Sequence, residues 1–507
     1  MKKINDLIVP LTLAFIVSLG IQYYMGNKNN STSQPEIVSG QGFTATPSAA
    51  INTKPLLKEV DFIDESLKPL SQQQIVETDH AIYTFSTGGA SLEKFTFKRP
   101  YHGTADLINT IQTPETQQES RAFLVAFEQP SPYSYSLMDR KDSDVTTQLT
   151  YQADFENGSV IKKFIIHHNS FQIDLMLTVI PHGDKTLTPR IFLPSPEVIE
   201  LKDDTISTVM NNEKNAIVTE QISKLSEQQG WFAPTLFGSQ DRYFVHAMVS
   251  NPDLFVKRAY YKASASKQLI TILEGPETSS EKSWMVSFYV GPKESKALAA
   301  VDSRLEKTLG YTGILAPISK ALLVVLNFLY RYLHNYGLAI IILTLSLNLI
   351  LLPLRKRGNE QMKKTAELQR KLAYVQQKYK NDPEALAREK AELFKKYGTG
   401  LGGCLPNLIL LPVFFALSPV LSQAIELYKA PFFGWIKDLS ARDPYYILPL
   451  LIFVIFIIRA LFAETNQRFS MLAVALIFGA FAANFSAGLC LYILVGVLME
   501  LKNIRKK

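Results

Sequence analysis

Four polar side chains stand inside otherwise apolar runs near the C-terminal end of the chain: Asn348, Asn407, Ser418 and Arg459. In hydrocarbon each such group costs free energy, about 3 kcal/mol for a central arginine on insertion scales, so it is retained where it serves something. Together the four can line a hydrated cavity. Two of them have an equally good plain reading, since Asn407 and Ser418 also suit hydrogen bonds between packed helices. Arg459 also suits snorkelling, its guanidinium reaching back to the membrane surface.

Conventional catalysis has no comparable footing. The sequence holds no Gly-rich phosphate loop and no G-x-S-x-G elbow. His167-His168 lies in a strand-like run with no Cys or carboxylate at metal-ligand spacing, so it reads as a surface or core pair. His246 reads the same way, and Asp203-Asp204 reads as a turn rather than an acid pair. No metal, cofactor or enzymatic activity is expected.

The elements that would position the four polar residues can be read from hydropathy and charge. The chain has 507 residues and a net charge of +7. Its basic residues crowd beside apolar runs, at Lys2-Lys3, at Arg355-Lys356-Arg357 and at Lys502, Arg505, Lys506 and Lys507. That is the positive-inside pattern of a membrane protein. No basic stripe with interleaved aromatics argues for direct nucleic-acid binding. Both cysteines, Cys404 and Cys490, fall in the apolar half, so no disulfide framework holds the rest.

Residues 1–26 contain an apolar run, Leu7 to Met25, behind Lys2 and Lys3. A signal peptide needs a shorter apolar region and a small-x-small cleavage site. The flank Ile21-Gln22-Tyr23-Tyr24-Met25 lacks that site, and its tyrosines suit an interface. The run therefore reads as a retained transmembrane anchor. Residues 27–55, rich in Asn, Ser, Thr, Gln, Gly and Pro, read as a flexible linker. Residues 56–310 carry short runs of alternating character, among them Ile82–Phe85, Ser91–Phe97, Val160–Ile166 and Phe171–Leu177. Several such strands separated by turn residues imply a β-sandwich. Gly88-Gly89 marks a tight turn that needs a free φ.

Residues 311–336 place Leu322, Leu323, Leu326, Leu329 and Leu333 at helical spacing, with Lys320 and Arg331 beside them. This predicts an amphipathic helix on the membrane surface. A polar, aromatic break at Tyr332–Gly337 separates it from the next apolar run. Residues 337–501 read as five further spans: Leu338–Leu354, Leu405–Leu421, Ile447 to about Phe462, and two short ones within Phe469–Leu501. The last run is about 33 residues, roughly 50 Å as one helix against a hydrocarbon core of about 30 Å, so it divides at Asn484–Gly488. Residues 356–398 form a charged helical hairpin, with Asp382 as N-cap and Pro383 at the first helical position. Residues 502–507 are a basic tail. The fold class is thus an α-helical polytopic membrane protein of six transmembrane helices. A β-sandwich is inserted after the first span, the hairpin is cytoplasmic, and both termini are cytoplasmic.

Several stretches then become recognisable. Leu401-Gly402-Gly403-Cys404-Leu405-Pro406 with Leu411–Leu417 resembles the entry to the third span of the YidC family of membrane protein insertases. Ala430–Ser440 and Asp443–Pro449 resemble the family's outer loop, and Ser486–Tyr492 the break between its last two spans. Thr87–Ala90 and Phe288–Pro292 match in the soluble region. The resemblance covers nearly the whole chain. It implies an inner-membrane insertase and chaperone of Gram-negative type, with a periplasmic β-sandwich between the first two spans. It also implies a hydrophilic groove, open to lipid and cytoplasm, that works without ATP, alone or beside the Sec translocon. The implied partners are nascent membrane proteins, the Sec translocon, the ribosome and the lipid bilayer. One departure stands out. The family usually carries an arginine in the middle of the second span, and alignment on Thr344 and Pro353 puts Asn348 there. Arg459 becomes the candidate source of the missing charge, since both positions lie within about 10 Å of the cytoplasmic end of their helices.

Two rival functions are weaker on the same residues. A solute transporter predicts inverted repeats, and none is visible. An enzymatic sandwich, by analogy with mutarotase-like folds, needs paired carboxylates or a His–Glu pair, and fold analogy alone licenses no activity.

Overall fold

The computed structural model describes residues 56, 61–62, 72–98, 108–112, 121–196, 206–211, 217–221, 225, 230–263, 268–311, 313–353, 367–368, 370–380, 382–397, 410–462 and 465–504. The expected N-terminal anchor, the linker, the end of the basic tail, Cys404 and Asn407 lie outside them. The chain divides into two units, Met1–Leu309 and Gly310–Lys507.

The first unit is built of antiparallel sheets. Thr146–Phe155, Gly158–His167 and Gln172–Pro181 alternate buried with half-buried positions, as period-two sequences do when one face meets a core. They form one half of a nine-stranded sheet. Ser136–Asp142 is its edge strand on that side. Lys282–Pro292, Phe244–Ser250, Phe237–Gln240, Ser207–Asn211 and Ile217–Val218 continue it on the other. A four-stranded sheet, Gln73–Glu77, Ala81–Ser86, Ser91–Phe97 and Ile108–Gln112, lays aromatic rings on that inner face. Phe85 meets Phe164 at 4.8 Å between centroids, and Phe97 meets Phe244 at 6.1 Å. A five-stranded sheet completes the unit, with Leu124, Phe192, Tyr260 and Ile272 fully buried. The expected β-sandwich is present, and each of the four sequence-marked strands lies in it or within a residue of it.

Three buried polar groups hold these layers in register. His246 donates from Nδ1 to the Pro194 carbonyl at 2.9 Å, while its Nε2 faces Thr110 Oγ1 at 3.3 Å. A carbonyl only accepts, so Nδ1 carries the proton and Nε2 accepts from the hydroxyl. The neutral imidazole thereby joins a strand from each of the three sheets. Burial pushes its pKa down to about 4. Lys162, fully buried, donates to the carbonyls of Gly89 at 2.6 Å and Phe123 at 2.8 Å. Burial without a carboxylate partner holds its pKa well below the usual lysine range. Gly89 sits at φ +66°, in the turn whose sequence demands conformational freedom, and a Cβ there would stand 2.8 Å from Leu124 Cδ1. Arg190, also fully buried, shares the Glu274 carboxylate with Arg258 at 2.9 and 2.8 Å.

The second unit is helical. We label its helices α1 (Ala316–Leu333), α2 (Tyr336–Ile350), α3 (Pro383–Tyr397), α4 (Leu410–Gln423), α5 (Ile447–Leu461), α6 (Thr465–Ala482) and α7 (Ala487–Ile504). The break between α1 and α2 falls within the polar interruption of the sequence. His334 turns left-handed at φ 49°, and Asn335 caps α2 by accepting from the Leu338 amide at 3.1 Å. α1 buries Ser319, Leu322, Leu323 and Leu326 against the unit and leaves Val324, Phe328 and Tyr332 outward. Asp382 caps α3 through the Ala385 amide at 3.0 Å, in agreement with its sequence position. The division between α6 and α7, residues 483–486, overlaps the expected Asn484–Gly488 stretch.

Among the described residues no helix is long and apolar enough to cross a membrane. α5, the most apolar of them, has 15 residues, about 22 Å of rise against a hydrocarbon core of about 30 Å.

Candidate functional site

α7 is the centre of the helical unit, packing against α2, α4 and α5, while α6 packs on α5 and α1 on both α2 and α4. Within this arrangement Asn348 sits on the inward face of α2 and is 5 % exposed. Thr344 lies one turn earlier on the same face and is fully buried. The Asn348 Nδ2 donates to the Thr344 carbonyl at 2.7 Å, and the Thr344 hydroxyl donates to the Ile340 carbonyl at 2.6 Å. Asn348 Oδ1 is buried with no hydrogen-bond partner among the described residues. The polar amide is therefore held inside the unit while the opposite face of α2 turns Leu349 and Ile350 outward, 69 % and 68 % exposed.

Ser418 is half-buried on α4, and its carbonyl accepts from the Ser422 hydroxyl at 2.9 Å. Arg459 is half-buried on α5, its guanidinium 5.9 Å from the Phe456 ring centroid on its own helix. α7 packs against both α2, which carries Asn348, and α5, which carries Arg459. Asn407 lies outside the described residues.

The loop between α4 and α5 is tied to both of its neighbours. Asp443 is its hub. Oδ1 accepts from the Trp435 indole and the Tyr445 amide, each at 3.1 Å, and Oδ2 accepts from the Leu448 amide at 2.7 Å, in the first turn of α5. The same loop pins the break before α7, where the Ala487 amide donates to the Ala441 carbonyl at 2.7 Å and Gly488 to Leu439 at 2.8 Å. It also covers the start of α2: a Cβ on Gly337 would fall 1.9 Å from Phe432 Cδ2, so only glycine admits the ring there.

Two features escape sequence reasoning. His167 does have a carboxylate partner, Asp174, at 2.7 Å from Nε2. The two meet diagonally across neighbouring strands, where Asp174 stands opposite Ile165, a proximity that pairing creates and spacing does not announce. Asp443 looks like any other loop residue, although Asp-Pro at the head of an apolar run is a turn signal with a mechanism. Among the described residues no group of His, Cys, Asp and Glu is arranged to hold a metal.

Two family models match the chain. One, described as the YidC periplasmic domain, matches residues 74–325; the other, described as 60Kd inner membrane protein, matches residues 328–503. The membrane protein insertase YidC of Geotalea daltonii is 29% identical over 523 residues, with 97% of each chain covered. That of Geobacter metallireducens is 30% identical, with 85% of this chain and 84% of the relative covered. A solved structure of an active YidC insertase with its first transmembrane domain resolved covers 85% of this chain and 92% of its own at 17% identity; its TM-score of 0.35 is too low to carry an argument. The same holds for a galactose mutarotase-like protein from Lactobacillus casei, matched over 44% of this chain at 7% identity and a TM-score of 0.31. Relatives of this identity and coverage, with adjoining family matches along the chain, lead to one conclusion: the chain belongs to the YidC family of membrane protein insertases.

Proposed function

We propose that the chain inserts other proteins into the inner membrane and helps them fold there, acting on nascent membrane proteins alone or beside the Sec translocon. The observation that carries this reading is the inside-out polarity of α2. Its buried face holds the amide of Asn348, and its outward face shows Leu349 and Ile350. Large exposed apolar side chains in contiguous patches belong against lipid or a partner. A polar group enclosed behind them supplies a place where a polar flank loses less solvation than in bare hydrocarbon.

In this reading the groove is formed by α2, α4, α5 and α7, with Asn348, Ser418 and Arg459 on its walls and Asn407 joining them. α2, α4, α5, α6 and α7, with the residues that flank them, make five spans, and the N-terminal run makes a sixth. α1 lies on the periplasmic surface of the inner membrane, and the β-sandwich is periplasmic. The hairpin that includes α3 is cytoplasmic, as are both termini, and the hairpin and basic tail approach the ribosome and the emerging client. No nucleotide drives the step: the gain is a lower barrier for a segment that prefers the bilayer once inside.

The experiment is depletion of the protein from its host, followed by pulse-labelled insertion of a small two-span membrane protein. Accumulation of that client outside the bilayer is the expected result. Normal insertion after depletion, with loss of a solute flux instead, would favour a transporter.

A further inference from the structure

The hydrogen bonds around Asn348 specify which end of its amide is left to bond. The Thr344 carbonyl has no proton to give, so the group that meets it at 2.7 Å is the amide NH2. The Thr344 hydroxyl cannot turn to the other end, because it is spent on the Ile340 carbonyl at 2.6 Å. Oδ1 is then a buried acceptor with no partner among the described residues. Leaving such an acceptor unmet costs its full desolvation, and the low local dielectric strengthens any bond that does meet it.

We infer that Asn348 Oδ1 is a hydrogen-bond acceptor site for the client chain. It takes the neutral donors of a translocating flank: Asn and Gln amides, Ser and Thr hydroxyls, and backbone N–H groups. A carboxylate brings only lone pairs to Oδ1 and gains nothing there. This rests on the proposed insertase function and goes further by naming the client chemistry that one position recognises. It separates the roles of the two candidate groove residues, since Arg459 favours the acidic flanks that Asn348 does not help.

The test uses the full chain in vesicles of phosphatidylethanolamine and phosphatidylglycerol, with two clients that differ only in the translocated flank. One flank is rich in Asn and Ser, the other in Asp. Asn348→Leu removes the acceptor at similar volume. We expect the rate of the Asn/Ser client to fall roughly fivefold relative to that of the Asp client, the scale of one neutral hydrogen bond. The melting temperature of the variant in the same lipids reports its folding. Equal slowing of both clients would reduce Asn348 to a structural role, and no slowing of the Asn/Ser client would show that water alone serves Oδ1; either result overturns the inference. Failure of the wild-type protein to insert either client above the protein-free rate would instead refute the insertase function beneath it.

Discussion

The indole of Trp435 donates to the carboxylate of Asp443 at 3.1 Å, and the same carboxylate accepts the Leu448 amide at 2.7 Å. A tryptophan in the loop and the first turn of α5 are thus held by one buried side chain, 2 % exposed. Asp443, three residues before the N-cap Tyr446, thus meets a first-turn amide while folding its own loop, with the acceptor charge favoured by the helix dipole.

Replacing that hub therefore loosens the helical unit. Asp443→Ala removes both acceptor oxygens and the three hydrogen bonds they receive, leaving the indole and two amides unmet, a loss of about 2–4 kcal/mol. The expected result in detergent is a melting temperature lower by several degrees, followed by Trp435 fluorescence in a Trp231→Phe, Trp284→Phe background. Asp443→Asn, which keeps one acceptor, should fall between Ala and wild type. An unchanged melting temperature for the Ala variant would show that the loop is held by other contacts.

The β-sandwich should weaken in acid through His246. Its folded pKa is about 4, below the ordinary value of 6.5, because burial penalises the imidazolium. The unfolded chain thus takes up the proton first as pH falls. The stabilisation is fully present above pH 6.5 and is lost progressively between 6.5 and 4, by about 3 kcal/mol at the limit. Hydrogen exchange of the amides in Phe244–Ser250 checks it: protection should drop across that window. His246→Gln, which cannot take up a proton there, should flatten the dependence. Equal pH dependence in both proteins would assign the effect to other groups.

How much of this is legible in the sequence differs from element to element. The strands can be read because alternation survives wherever one face is buried, as in Gln172–Pro181. What they pair with cannot: the groups that meet at His246 come from positions 136 and 52 residues away. The break before α2 is readable from Asn335 and Gly337, a cap and a residue without a side chain. For the candidate site, Asn348, Ser418 and Arg459 announce themselves by interrupting apolar runs. The direction of the Asn348 amide does not, because the Thr344 carbonyl decides it, and a backbone acceptor one turn away leaves no mark in residue type. The role of Asp443 is hidden for a similar reason, as its partners are two amides and an indole assembled only when the loop folds.

Arg459 should carry the positive charge of the proposed groove. Arg459→Ala is expected to slow insertion of a client with an acidic flank severalfold, and Asn348→Arg in the same chain to restore it, since the low dielectric strengthens attraction at either wall. The rates of both variants in vesicles check this. An Arg459→Ala protein that handles the acidic client at the wild-type rate would leave Arg459 as a snorkelling side chain.

Insertase activity itself is tested most directly by reconstituting the purified full chain into lipid vesicles and adding a two-span client without nucleotide, then scoring the client segment protected from external protease. The account predicts protection well above that in protein-free vesicles, with no dependence on ATP. Protection at the protein-free level, or only when ATP is supplied, would contradict it.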